Sequence, residues 1–340
     1  MAGGGVMGIV GLIGVAWALD WSSTCCVEGE LGRASDHACK CLPAPVMKIE
    51  RVETRVEVPV EVPVEVPVER RIEVPSCLEN PGATAARAPR LSGARGSYCA
   101  GAVWFTTSYV APGSYTMGSP PTESSRDADE GPVEVRLSRG YELMQTEVTQ
   151  SLWAAVEDAW PSSHQGCPEC PVESVSWYDA VRFANDLSAA MKLPEAYRRV
   201  SETRWEPVLG SSGWRLPTEA EWEFAARAGA RSLYSGGDDA VDVAWFEATS
   251  DGLTREVGWG RPNAWGLYDM SGNVWEWVWD AYGVELRGGQ DPTRDGEGPR
   301  VRRGGSWRDT AEFVRVANRN RSAPVNVNDA VGLRLARTVP

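Results

Sequence analysis

The sequence of 340 residues is long enough to form one or two domains with a buried core. Its formal net charge of -13 argues against a protein that binds nucleic acid through clustered lysine and arginine side chains. The sequence contains two histidines, His37 and His164, and only His164 lies after residue 98. A metal site built from two or three histidines is therefore excluded within that C-terminal part of the sequence.

The N-terminal stretch Gly3–Leu19 is uncharged and mostly apolar, which is typical of a signal peptide or a membrane anchor. No basic residue precedes it, so the signal-peptide pattern is incomplete, and a buried helix is the alternative. Nothing directly downstream offers a domain against which such a helix could pack. We therefore predict that residues 1–24 export or anchor the protein, which places it in the cell envelope or periplasm, membrane-tethered or secreted. Lipidation of Cys25 or Cys26 is a further alternative, although the preceding Ser-Ser-Thr is an unusual approach to a lipidated cysteine.

A repetitive segment follows the short cysteine-containing stretch of residues 25–47. Residues 48–97 begin with a repeat of Val-Glu-Val-Pro within Lys48–Pro75. Proline at that frequency prevents a helix and removes backbone donors from a sheet. We expect an extended, semi-rigid stalk of about 3.1 Å per residue, followed by a flexible linker. The prolines and the alternating charge disfavour the alternative of an aggregating strand.

The eight cysteines of the sequence fit an oxidising compartment. Cys77 and Cys99 flank the beginning of the C-terminal part and could close a disulfide. Cys167 and Cys170 form a CxxC pair, which could be a redox pair, half of a zinc site or a short disulfide. Because no second CxxC or histidine pair completes a zinc tetrahedron, we predict the disulfide.

The C-terminal part begins with signals for one strand and two helices. Val133–Leu137 alternates between apolar and polar residues and predicts a strand, and a helix is expected over about Gln150–Ala159. Ser176, with Asp179 three residues later, forms the capping-box pattern that begins a second helix. Four apolar residues lie on one face of this helix: Ala180, Phe183, Ala184 and Leu187.

A third helix is predicted to begin at Thr218, with Glu221 completing its capping box, and to end at Gly229. Glu219, Glu221 and Glu223 suggest the alternative of an acidic cluster for metal binding or catalysis. Carboxylates at the start of a helix are more often caps and solvated charges, so we predict that role for all three.

Three blocks of sequence stand out after residue 210. They are WRLPTEAEWEFAARAG at Trp214–Gly229, GLYDMSGNVWEW at Gly266–Trp277 and RVRRGGSW at Arg300–Trp307. In order and spacing they closely resemble the formylglycine-generating enzyme, or sulfatase-modifying factor, family. The resemblance covers roughly Tyr98–Arg337. It implies an α+β domain over residues 98–340, of the C-type-lectin-like type and with much irregular structure.

The resemblance also implies a calcium site in the second block. By position, Asp269 and Glu276 would supply carboxylate oxygens, and Gly272 and Val274 would supply backbone carbonyls. Calcium accepts six to eight hard oxygen ligands at flexible angles, which suits a glycine-containing turn. The alternative is that Asp269 and Asn273 only stabilise the turn through side-chain-to-backbone hydrogen bonds. We expect calcium as a structural cofactor.

The oxidases of the resembled family convert a substrate cysteine to formylglycine with copper(I) held by two thiolates. The resemblance places those thiolates at Ala311 and Val316, and no cysteine follows Cys170. Copper(I) needs thiolate or thioether ligands, and Met270 is the only methionine after Met191. We therefore expect neither copper nor catalytic residues of the family's kind. A modifying enzyme with a rearranged site is the alternative.

The stretch after Trp307 is rich in arginine and asparagine and matches the place where the family's groove holds a peptide. Arginine and tryptophan are frequent in binding hot spots, and asparagine offers adaptable hydrogen bonds. The predicted groove residues are Trp307, Arg308, Asn318, Arg319, Asn326 and Asn328. They indicate an extracytoplasmic module that binds a protein, peptide or glycan, and not nucleic acid. The alternative is a solvated loop whose arginines pair with nearby acids, in a purely structural envelope protein.

Overall fold

A computed structural model of the protein describes residues 91–339. The predicted N-terminal anchor, the cysteine-containing segment, Cys77 and nearly all of the predicted stalk and linker lie outside the described residues. The assignments made for them stay predictions.

Four helices lie within the described residues. They are α1 (Gln150–Glu157), α2 (Trp177–Ala190), α3 (Glu219–Arg227) and α4 (Ala240–Val243). Both predicted capping boxes are present, Ser176 with Asp179 and Thr218 with Glu221. Within residues 91–339, no helix has the length and the apolar character needed to cross a bilayer.

The ends of the helices follow local backbone geometry. α1 ends slightly before the predicted Ala159, because Asp158 adopts a left-handed conformation with a φ of 51°. α3 ends at Ala228 and Gly229, which both have a positive φ. The predicted apolar face of α2 is confirmed, since the following side chains are fully buried: Ala180, Phe183, Ala184 and Leu187.

Fourteen short strands form four sheets among residues 91–339. The strands are β1 (Arg95–Ala100), β2 (Val103–Val110), β3 (Gly113–Met117), β4 (Val133–Leu137), β5 (Tyr141–Met144), β6 (Tyr197–Arg199), β7 (Trp205–Pro207), β8 (Trp214–Arg215), β9 (Trp275–Ala281), β10 (Gly289–Gln290), β11 (Arg300–Arg303), β12 (Asn320–Ser322), β13 (Val331–Leu333) and β14 (Ala336–Thr338). The strand predicted at Val133–Leu137 is β4, with the same bounds.

Two of the sheets organise the domain. The larger one has the order β1-β2-β5-β14-β8, and each of its strands runs antiparallel to its neighbours. The second has the order β12-β11-β9-β13, in which β13 runs parallel to β9. The remaining strands form the β10-β4-β3 sheet and the β6-β7 hairpin. Short helices, short strands and long irregular segments are the mixture that the sequence predicts.

Tryptophan rings fill much of the core, and their N–H groups connect its elements. Trp177 Nε1 donates to the Val278 carbonyl at 2.9 Å, and Trp277 Nε1 donates to the Val175 carbonyl at 3.0 Å. A buried indole covers a large apolar area while its N–H needs an acceptor. The two bonds therefore fix the beginning of α2 against β9.

The prediction of solvated carboxylates at the start of α3 is wrong for two of the three. Glu223 is fully buried and forms an ion pair with Arg303. Glu219 is also buried and forms an ion pair with Arg319. Glu221 does cap the helix, as predicted. Both buried carboxylates bind α3 to the C-terminal stretch of the domain.

Candidate functional site

The loop of the GLYDMSGNVWEW block is fixed by backbone hydrogen bonds to two other segments. The Gly272 N–H donates to the Gly304 carbonyl at 2.8 Å, and the Asn273 N–H donates to the Trp245 carbonyl at 2.7 Å. In turn, the Trp307 N–H donates to the Asn273 carbonyl at 2.8 Å. Gly272 has a φ of +92°, and a Cβ there would meet the Trp245 backbone at under 3.0 Å. Glycine is therefore required where this loop meets its neighbours.

Arg334 lies fully buried behind this loop. Its Nη2 and Nε contact Glu276 Oε1 and Oε2 at 2.6 and 2.7 Å, a bidentate ion pair. Nη1 donates to the carbonyls of Met144 and Gln145, and Nη2 donates to that of Tyr268. Although burial opposes a charge here, the Glu276 carboxylate raises the pKa of Arg334 above its ordinary value. The guanidinium thus joins β9, the end of β5 and the loop.

Glu276 is a poor fit for the calcium ligand that the sequence predicts. Both of its oxygens contact Arg334, and Trp222 Nε1 donates to Oε2 at 2.6 Å. A guanidinium in bidentate contact opposes a divalent cation at the same oxygens. The Asn273 side chain does stabilise the turn, because its Oδ1 accepts from the Arg255 N–H at 3.1 Å.

Asp269 is a better fit, because it interacts with a second buried carboxylate. Both oxygens of Glu147 are buried and accept no hydrogen bond from any described residue. Burial raises the pKa of Asp269 to about 6. Burial and the Asp269 charge together raise the pKa of Glu147 well above its ordinary value. Such a pair favours either a proton or a hard cation such as calcium.

The other ligands of a cation at Asp269 would have to be backbone oxygens. Among residues 91–339, no three histidine, cysteine, aspartate or glutamate side chains are placed to hold a metal ion. The carbonyl ligands from Gly272 and Val274 stay a prediction. Calcium commonly takes such ligands together with one or two carboxylates.

Apolar side chains occupy the two positions that match the family's copper ligands. Val316 is buried in the core, and Ala311 packs at the edge of a smaller apolar cluster. Nearby, the Ser306 hydroxyl donates to Asp309, and Trp275 Nε1 donates to the same carboxylate oxygen at 2.8 Å. These three polar side chains satisfy one another and provide no soft ligand for copper(I).

Four of the predicted groove residues reach the solvent in the segments that follow Ser306 and Ala323: Trp307, Arg308, Asn326 and Asn328. We call them the Trp307 surface. The Arg308 side chain is 43% exposed, and its nitrogens donate to Asp329 at 2.7 Å and to Asn328 at 2.5 Å. Trp307 Nε1 donates to the Asp329 carbonyl at 3.2 Å. The surface is therefore held in one arrangement before any partner binds.

The other two predicted groove residues, Asn318 and Arg319, lie inside the domain, which corrects their assignment to an exposed groove. They are 2% and 7% exposed. Arg319 forms a bidentate ion pair with Glu219, at 2.6 and 3.0 Å, and Asn318 donates to Asp127 at 3.2 Å. Both side chains stabilise the segment from within.

His164 lies beside the Trp307 surface, a position that its local sequence does not indicate. Its ring meets that of Trp307 edge to face, with centroids 5.2 Å apart. The loop after His164 contains Cys167 and Cys170, whose predicted disulfide is confirmed. Cys99 is also disulfide-bonded, and its predicted pairing with Cys77 stays a prediction. Sequence spacing does not reveal the contact of His164, because Trp307 comes from a distant part of the chain.

Comparison with known proteins agrees with the motifs. The model of the sulfatase-modifying factor enzyme 1-like domain matches residues 104–339. A chaperone protein of Paenibacillus barcinonensis, LppX, is 32% identical over 238 residues, which are 60% of this chain and 82% of that protein. The formylglycine-generating enzyme of Streptomyces coelicolor is 34% identical over 207 residues, which are 54% of this chain and 57% of the enzyme. The chain thus spans little more than half of that enzyme's length.

The fold is likewise similar to a solved structure. Variable protein 1 of Treponema denticola superimposes with a TM-score of 0.67 and 32% sequence identity, over 72% of this chain and 99% of that one. The family match covers well over half of the chain, and the three sequence blocks meet at Glu276, which accepts from Trp222 and pairs with Arg303 across β9 and β11. The chain therefore belongs to the sulfatase-modifying factor family, the family of the formylglycine-generating enzymes.

Proposed function

We propose that this domain is an extracytoplasmic binding module that captures a protein, peptide or glycan partner through the Trp307 surface. The N-terminal segment would tether it to a membrane in the cell envelope or periplasm. The observation that carries the proposal is that no cysteine follows Cys170, while Ala311 and Val316 are packed among apolar side chains. The oxidase chemistry of the family needs thiolates at those positions.

The composition of the Trp307 surface supports recognition. Trp307 offers part of a large ring, and Arg308 offers a guanidinium already oriented by Asn328. Val325 and Val327, on either side of Asn326, are 63% and 59% exposed. Exposed apolar side chains beside arginine and tryptophan are typical of the centre of a protein interface. Similarity to a protein named as a chaperone over most of its length agrees with a binding role.

Photo-crosslinking in cells that express the full chain tests this proposal. With p-benzoylphenylalanine in place of Asn326, we expect a discrete covalent adduct. The double substitution Trp307→Ala and Arg308→Ala should reduce its yield at least tenfold, because interface hot spots commonly contribute 2 kcal/mol or more.

The control places the same photo-reactive residue at Val241, which is 58% exposed and belongs to α4. It should give no such adduct. Equal adducts from both positions, or a yield that the double substitution leaves unchanged, would place the interface elsewhere.

A modifying enzyme is the second candidate function, and the similarity to the formylglycine-generating enzyme of Streptomyces coelicolor favours it. Oxygen uptake distinguishes the two functions. The purified chain, supplied with copper(I) and a cysteine-containing peptide, is expected to consume no more oxygen than the peptide and copper alone. Faster uptake that requires the folded chain would contradict a purely binding role.

Calcium at Asp269 is a further part of the proposal. It is supported by the two buried oxygens of Glu147, which accept no hydrogen bond from a described residue. The pKa values of both carboxylates are raised, so their contribution to stability is present at low pH, where they bind protons. The contribution of Asp269 to the free energy of unfolding is lost as the pH rises from about 4 towards 6. Calcium would replace these protons, so its stabilising effect should be larger at pH 7.5 than at pH 5.

We expect saturating calcium to raise the melting temperature by about 5 °C or more at pH 7.5, relative to the same protein in chelator. Asp269→Asn should abolish that response, whereas Asp251→Asn, at an exposed position, should retain it. Asp280, whose pKa burial and Glu219 raise to about 7, titrates in the same pH range. It is present in both variants, so their comparison isolates Asp269. Equal melting temperatures of the unsubstituted domain in calcium and in chelator would remove the ion from the proposal.

A further inference from the structure

A cleft of about 740 Å³ opens at the other end of β9 from the Trp307 surface. Trp275, at the first position of β9, donates to Asp309 in the site described above. Trp279, four positions along the strand, lines the cleft and is about 13 Å away at 3.3 Å per residue. The cleft and the Trp307 surface share no residue, although Pro324 of the cleft lies two positions before Asn326. The volume of the cleft is within the range of small-molecule sites.

Aromatic side chains from three elements line this cleft. Tyr178 comes from α2, Trp205 from the β6-β7 hairpin and Trp279 from β9. Trp279 is fixed in place, because its ring stacks on Tyr197 with centroids 4.8 Å apart. Its Nε1 also donates to Asp295 at 2.7 Å. Trp205 is partly exposed; its ring packs against the core, and the Arg199 guanidinium lies 5.8 Å from the ring centroid.

The charged groups on one side of the cleft already have partners. Glu206 accepts from Arg198 at 2.7 Å and from Arg204 at 2.8 Å. A carboxylate held by two guanidinium groups attracts a further cation weakly, yet its oxygens can still accept from hydroxyl groups. This part of the rim therefore favours a neutral polar ligand over a strongly charged one.

The floor of the cleft includes Arg300, which is 8% exposed. Two of its nitrogens donate to the carbonyls of Trp279 and Gly296, each at 2.8 Å. Its guanidinium stacks over Trp177, 3.9 Å from the ring centroid. The Arg300 Nε has no hydrogen-bond partner among the described residues. A buried donor without a partner, in a residue that lines a cleft, points to a ligand that brings acceptor oxygens.

We propose that this cleft binds a neutral oligosaccharide of β-linked pyranose units. Equatorial substituents leave such rings with flat C–H faces that stack on tryptophan and tyrosine. Their hydroxyl groups both donate and accept, which matches a rim of paired carboxylates and guanidinium groups. A basic peptide is the competing ligand: Glu206 is held by two arginines, but Asp295 and Glu297 also line the cleft and form no ion pair with a described residue. The three aromatic side chains of the lining favour the saccharide. The site goes beyond the partner binding proposed for the Trp307 surface and does not depend on it.

Titration calorimetry of the full chain tests the assignment with three probes: cellohexaose, chitohexaose and laminarihexaose. We expect at least one to bind with a dissociation constant below 1 mM, and to bind equally well in low and high salt. Trp205→Ala should weaken that binding at least tenfold. Trp160→Ala removes a tryptophan that is 52% exposed and does not line the cleft, and should leave binding unchanged. The melting temperature of each variant shows whether it is folded.

Three results would overturn the assignment. The first is that none of the three hexasaccharides binds, and the second is that Trp205→Ala binds as well as the unsubstituted chain. The third is that hexalysine binds in a salt-sensitive way while no saccharide does, which would assign the cleft to a basic peptide. The double substitution Trp307→Ala and Arg308→Ala should not affect saccharide binding. The two proposals can therefore fail independently.

Discussion

Replacing Arg334 with alanine is expected to lower the free energy of unfolding by about 3–5 kcal/mol. The substitution leaves the fully buried Glu276 without its cation. It also removes the donor from the carbonyls of Met144, Gln145 and Tyr268. A loss of this size is a large fraction of the roughly 5–15 kcal/mol that stabilises a typical domain. Urea denaturation followed by tryptophan fluorescence measures it.

Two further variants distinguish the loss of a buried ion pair from a general effect of losing an arginine. Arg182→Ala removes a side chain that is 49% exposed and pairs with Asp179, and should cost less than about 1 kcal/mol. The double substitution Arg334→Met and Glu276→Gln removes both charges and should recover part of the lost stability. If Arg334→Ala costs no more than Arg182→Ala, the buried pair does not stabilise the domain as described.

The second large effect is expected at Gly332, two residues before Arg334. Gly332→Ala should destabilise the domain by about 1–3 kcal/mol or more, because the site cannot accept a methyl group. Gly332 is buried in β13, and a Cβ there would come under 3.0 Å from the carbonyl oxygen of Val172. A backbone oxygen cannot rotate away as the end of a side chain can. The same denaturation experiment measures the loss.

Gly131→Ala is the matched control for this substitution. A Cβ on Gly131 would meet nothing within 4 Å, and its backbone is not in the left-handed region. It should change the free energy of unfolding by less than about 0.5 kcal/mol. If both alanine variants were equally stable, the close approach of β13 to Val172 would not limit this position.

Features set by neighbouring residues were predictable from the sequence. The caps at Ser176 and Thr218 depend on partners three residues away, so the sequence contains the whole motif. The same holds for β4, whose alternating residues place Val135 and Leu137 in the core. The fold was also predictable, because the order and spacing of the three family blocks can be read from the sequence without knowing any distant contact.

Features set by distant residues were not predictable in the same way. Arg319 was assigned to an exposed groove because arginine is common in binding sites, yet it pairs with Glu219, 100 residues earlier. Glu223 was likewise predicted to be a solvated carboxylate, yet it pairs with Arg303, 80 residues away. The residues next to a charged side chain do not reveal whether it is solvated or buried in an ion pair. That depends on a partner from a distant part of the chain. The aromatic cleft was missed because Tyr178, Trp205 and Trp279 come from separate elements.

The place of β14 in the larger sheet has a consequence for protein synthesis. Ala336 pairs with Leu143 on one side and with Arg215 on the other, and the nearby Arg334 binds Met144 from 190 residues away. While a ribosome makes the intervening chain, at about 5–20 residues per second, β5 lacks one neighbour for on the order of 10–40 s. A nascent chain halted before β14 cannot close this sheet, so the domain is expected to fold only after the last of these strands has left the ribosome.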